Sequence, residues 1–122
     1  MNLPRCIRLT RLFYGTEDRP TEALRRQLVR ASCLVQEYVL VELEPHQIDA
    51  TVCLMSDVVA GLLWVPGGKV DKLPVFEMIN AGMHHLVVDE FARLAYVRGK
   101  IDHLAYKKRL KEADLYINGH SY

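Results

Sequence analysis

The sequence predicts an all-α bundle of about four helices with a short N-terminal arm. Three observations predict it. Apolar residues recur at three- and four-residue steps through most of the chain, the spacing that lines up one face of an α-helix. Proline and glycine divide the chain into an arm and four such segments. With 122 residues, half of them apolar and a quarter charged, the chain is long enough for one hydrophobic core and too apolar to remain disordered. It therefore reads as an arm over residues 1–17 and a single helical domain over 18–119.

In the arm, Arg5, Arg8 and Arg11 alternate with Ile7, Leu9 and Leu12, a pattern that fits a short strand or one helical turn equally well. The first helix is expected from Asp18–Thr21 to about Leu43, with Asp18 or Thr21 as cap and Pro20 in its first turn. Leu24, Leu28, Ala31, Val35 and Tyr38 form its apolar stripe, and Arg25, Arg26 and Arg30 lie off it. Pro45 ends that segment and opens a second helix over about 46–65. From Val52 onward this helix is apolar nearly all round, which marks it as central. Asp57 stands alone among Met55, Val58 and Val59. A buried unpaired carboxylate there would cost several kcal/mol, so it must face water, pair with a base or sit at an interface, and a water-facing position is expected.

A polar loop over 67–73 leads to a third helix, expected to run unbroken from Pro74 to Arg98 and to end at Gly99. Phe76, Ile79, Met83, Val87, Phe91 and Leu94 make its stripe. At about 1.5 Å per residue it would be long for so small a domain, which makes it the first candidate for self-association. Asp102 caps the last helix, Ile101 and Tyr106 can form a hydrophobic staple, and Asn118-Gly119 stops it. Its expected apolar face is Tyr106, Leu110, Ala113 and Ile117, with Lys107, Lys108, Arg109 and Lys111 solvated.

The charges are unevenly placed. Residues 1–30 carry seven Arg against three acids, residues 31–90 two Lys against nine acids, and residues 91–122 seven bases against three acids. The regional balances are +4, −7 and +4, for a net +1. The acidic middle argues against nucleic acid, which would have to use the basic ends. Cys6, Cys33 and Cys53 are odd in number and contain no Cys-x-x-Cys pair, which points to reduced thiols in a reducing compartment, with Cys33 and Cys53 as core residues. Arg5, Arg8 and Arg11 interrupt any apolar signal core, and Ala50–Val65 is too short for a bilayer, so a soluble cytoplasmic protein is expected.

No catalytic motif emerges. Pro66-Gly67-Gly68-Lys69 lacks the spacing and the Ser/Thr of a phosphate-binding loop. Ser32 and Ser56 have no nucleophile elbow, and no cofactor is expected. His85 and Asp89, four residues apart beside His84 and Glu90, are the best metal candidates, without a Glu-x-x-His repeat or a His-Glu-x-x-His motif. A metal-binding protein or small enzyme built on His85 and Asp89 is one alternative, and a nucleic-acid-binding protein is another. The main expectation is a protein-binding module. More apolar side chains are present than a small bundle can hide, and aromatics concentrate at interfaces. Phe13, Tyr14, Trp64, Val65, Phe76, Met83, Val87 and Tyr96 are the candidate partner or dimer contacts, and a homodimer through the second or third helix is expected.

The order of these features is a basic arm, an apolar helix over Ala50–Val65, a long helix over Pro74–Arg98 and a short basic helix over Asp102–Ile117. It resembles that of the small helical anti-activators of bacterial quorum sensing. The resemblance implies a regulator that binds a LuxR-type transcription factor and blocks its dimerisation or DNA binding. It covers the helical part as a pattern and rests on no diagnostic motif, so it assigns no residue a role.

Overall fold

The computed structural model describes residues 22–61, 69–70, 73–97 and 100–119. The expected arm over 1–17 and the Gly67-Gly68 turn lie outside those residues. Five helices are present among them: α1 (Glu22–Tyr38), α2 (Pro45–Val59), α3 (Pro74–Asn80), α4 (His84–Arg93) and α5 (His103–Asn118). Between α4 and α5, β1 (Tyr96–Val97) and β2 (Lys100–Ile101) pair antiparallel, Tyr96 opposite Ile101 and Val97 opposite Lys100. The described residues thus form a helical bundle with one minimal ribbon.

Helix α2 is the centre. It packs against α1 on one side and α5 on the other, and α5 in turn packs against α4. Ten consecutive residues, Asp49 to Val58, are buried, as expected for a helix apolar nearly all round. The α1 stripe also behaves as its spacing predicts: Leu28, Ala31 and Val35 are buried, Leu24 and Tyr38 pack at the edge, and Arg25, Arg26 and Arg30 are exposed.

Helix α1 stops at Tyr38, five residues short of the expected end. Its closure is supplied from far along the chain. The Asn80 side chain accepts from the Leu40 N–H at 2.7 Å and donates to the Tyr38 carbonyl at 2.9 Å. One amide thereby satisfies a donor and an acceptor that the helix end leaves open.

The unbroken helix over 74–98 is not formed. It divides at Ala81-Gly82, where Gly82 has φ +74°. The Gly82 N–H donates to the Ile79 carbonyl and the Met83 N–H to the Met78 carbonyl, both at 3.0 Å. This is the Schellman pattern, which uses a left-handed glycine to end a helix. The second piece ends at Arg93, where β1 follows instead of helix. The apolar stripe survives the break: Phe76, Ile79, Val87, Phe91 and Leu94 are all buried, and Met83 at the break is exposed.

Helix α5 has the expected ends. Asp102 Oδ1 accepts from the Ala105 N–H at 3.0 Å. Gly119 has φ +72° and donates to the Leu115 carbonyl at 3.0 Å. His46 of α2 also reaches that carbonyl through Nδ1 at 3.0 Å, so α2 clasps the C-terminus of α5.

Gly82 separates the two descriptions by sign. In a continuous helix, Gly82→Ala would stabilise by about 1 kcal/mol. At the observed positive φ it should destabilise by about 1 kcal/mol. Urea unfolding of the variant beside the parent measures which occurs.

Candidate functional site

The chain between α1 and α2 roofs a groove of about 360 Å³, within the range of small binding sites. Val35, Val39, Val41, Leu43, Pro45 and Ile48 supply apolar wall, and Ser32, Gln36 and Asp49 the polar part. Val41 and Ile48 remain more than a third exposed and neighbouring Leu40 is 79% exposed. Their environment follows from the early stop of α1. Residues 39–44 run as non-helical chain, and the Asn80 clamp fixes the start of that run. The wall is therefore preformed and does not wait for a ligand to order it.

About two turns further along α2 lies a buried cluster of four ionisable groups. Lys108 Nζ and Arg109 Nη2 of α5 each reach Asp57 Oδ2 at 2.5 Å. Arg109 Nη2 also donates to Glu112 Oε2 at 2.9 Å. All four side chains are less than one-tenth exposed. Asp57 is therefore not a water-facing gap, and Lys108 and Arg109 are not solvated. The isolated carboxylate on α2 is paired, and its partners are drawn inward because an unpaired charge at that depth costs more than turning two basic side chains into the core. The expected apolar face of α5 is corrected with them: Leu110 and Ile117 are each 44% exposed, whereas Ala113, Leu115 and Tyr116 face inward.

The cluster is not perfectly satisfied. Arg109 Nε approaches Glu112 Oε1 at 2.7 Å, but off the line of a good hydrogen bond, and Arg109 Nη1 is buried with no hydrogen-bond partner among the described residues. Burial pushes the Glu112 carboxyl up to about 7, against the pull of Arg109. Burial also opposes the Arg109 charge, but Glu112 and Asp57 outweigh it and raise the Arg109 pKa. Glu112 is thus the member that changes protonation near neutrality.

The sequence's other candidates scatter. Phe76 and Val87, expected at an interface, lie in the chain's own core at 4% and 0% exposure, and Met83 is 44% exposed. Phe13, Tyr14, Trp64 and Val65 lie outside the described residues, and Tyr96 is placed in β1. His85 and Asp89 are exposed on α4. His84 turns the other way and meets the Tyr116 hydroxyl at 2.7 Å, because neighbouring helical residues point about 100° apart. Among the described residues no three His, Cys, Asp or Glu side chains come together that could hold a metal ion. Glu90, buried beside them in sequence, pairs with Arg93 instead.

One of the two described cysteines also needs correction. Cys33 is an exposed free thiol on the outer side of α1, off the apolar stripe. Cys53 is buried in the hydrophobic core at 7% exposure, as expected. Among the described residues no helix is long and apolar enough to cross a membrane.

Comparison with protein-family models, with curated proteins and with solved structures finds no match to this chain.

Two outcomes follow from the charge cluster. Asp57→Asn should cost about 3–5 kcal/mol in urea unfolding, since it removes the negative charge that both Lys108 and Arg109 meet in the interior. A loss below about 1 kcal/mol would mean that the cluster is solvated. The second outcome concerns pH. Between the ordinary 4.5 and about 7, folded Glu112 holds a proton that the unfolded chain releases. Its contribution to stability is therefore present below pH 4.5 and is lost as pH rises to 7. The loss is up to about 3 kcal/mol. Unfolding curves of the parent across that window should show this fall relative to Glu112→Gln, which lacks the titration.

Proposed function

We propose that the protein acts by protein–protein contact and that the groove between α1 and α2 receives an apolar segment of its partner. The observation that carries this reading is a preformed groove with mainly apolar walls, bordered by Leu40, Val41 and Ile48, which stay exposed although nothing polar requires it. Soluble chains seldom leave such a concave apolar surface without an occupant.

The most concrete version is regulatory. A chain of this size that covers an apolar surface on a transcriptional activator would block that activator's dimerisation, as the resemblance to quorum-sensing anti-activators implies. Self-association belongs to the same proposal, through the exposed Met83 and Leu86 of the 74–98 segment. A cytoplasmic setting, where a transcription factor would be met, goes with it.

Affinity capture from native lysate tests the reading when wild type is run beside Val41→Ser/Ile48→Ser. Both side chains are exposed enough for the fold to tolerate the change. A protein held by wild type and reduced about tenfold by the variant, a loss of about 1.4 kcal/mol, is the expected result. Identical retained proteins would contradict it.

A further inference from the structure

We infer that the occupant of the α1–α2 groove is a cationic amphipathic segment, a row of apolar side chains flanked by Lys or Arg. The inference rests on the groove being the docking site and adds the chemistry of what docks there.

The argument begins with charge. From residue 31 to residue 68 the chain holds five carboxylates and no Lys or Arg. Asp57 is neutralised by α5, and Asp49 is buried in the groove itself. The other three, Glu37, Glu42 and Glu44, are exposed. In sequence they interleave with the wall residues Gln36, Val41, Leu43 and Pro45. Among the described residues none of these three makes an ion pair. Glu44 and Gln47 form a capping box at the start of α2: the Glu44 side chain accepts from the Gln47 backbone N–H and the Glu44 N–H donates to Gln47 Oε1 at 2.9 Å, which engages the carboxylate without giving it an ion-pair partner. The chain that borders the apolar groove thus carries three negative charges without an ion-pair partner among the described residues, at positions next to the wall residues and outside the lining itself.

Such a rim selects among partners of equal apolarity. An acidic segment would bring its own carboxylates within a Debye length, about 8 Å at physiological salt, of three others. Two copies meeting groove to groove would bring six together. A cationic segment instead gains at each flank, and like-charge rejection supplies specificity as much as attraction supplies affinity. Leu40, at 79% exposed, offers the apolar row a contact beyond the groove, and the Asn80 clamp holds that lip in place before binding.

The test uses three labelled helical peptides with one shared Leu row and flanks of Lys, Gln or Glu, titrated by fluorescence anisotropy against the full chain. The Lys peptide should bind about tenfold more tightly than the Gln peptide and the Glu peptide more weakly. That advantage should shrink between about 50 and about 500 mM salt. Glu37→Gln/Glu42→Gln/Glu44→Gln should erase the Lys advantage and leave the Gln peptide unaffected, whereas Val41→Ser/Ile48→Ser should weaken all three. Equal binding of the three peptides, or preference for Glu, overturns the cationic assignment and leaves the groove reading standing. Binding by none of them overturns the groove reading itself. A dimer by sedimentation that Ile48→Ser dissociates would assign the groove to a second copy and also overturn the inference.

Discussion

A single carboxylate governs how this bundle is assembled. Asp57 sits in the middle of the most buried helix, where a lone charge is not sustainable. Lys108 and Arg109 must therefore turn inward from α5, and Glu112 follows Arg109 one turn later. With those four groups fixed, the rotation of α5 about its own axis is fixed as well. Ala113, Leu115 and Tyr116 enter the core, and Leu110 and Ile117 are turned out toward solvent. Buried ion clusters of this kind contribute little net stability compared with an apolar replacement, but they are intolerant of losing a member. Here the cluster selects one register of α5 on α2 among several that its scattered apolar residues would accept.

The division of labour on α2 follows. One side is committed to the charged contact with α5, reinforced where His46 holds the Leu115 carbonyl. The other side faces α1, where Gln27 donates to both the carbonyl and the hydroxyl of Ser56 at 2.9 and 2.7 Å. That contact lies well down the two helices from the connection between them. The groove lies at the connection itself, where residues 39–44 run as open chain and supply much of its wall. The buried charges and the acidic rim are thus physically separate: the first are neutralised internally, and the second face outward.

The parts legible in the sequence were those set by local chemistry. The α1 stripe, the central place of α2, the Asp102 cap and the Gly119 stop all depend on residues within a turn or two. The failures share another cause. The stripe from Phe76 to Leu94 keeps its phase across Gly82, so periodicity cannot reveal the break, and only a left-handed glycine marks it. The end of α1 is set by Asn80, about forty positions away, and no local signal announces it. The groove is hidden for the same reason, because local spacing extends the helix over Val39 to Leu43. In α5 the hydrophobic pattern pointed to Leu110 and Ile117. The clue to the true face was Asp57, which demanded cations, and two adjacent candidates stood in Lys108 and Arg109. Weighing that demand against the apolar stripe requires knowing that α5 packs on α2.

The central claim is that Arg109 is locked inside the protein between Asp57 and Glu112. Solution NMR of the guanidinium groups tests it most directly. A locked Arg109 should give resolved NηH signals with slow rotation about Nε–Cζ and slow exchange with water, unlike exposed Arg25 and Arg26. Averaged, rapidly exchanging signals from all the arginines would contradict the account.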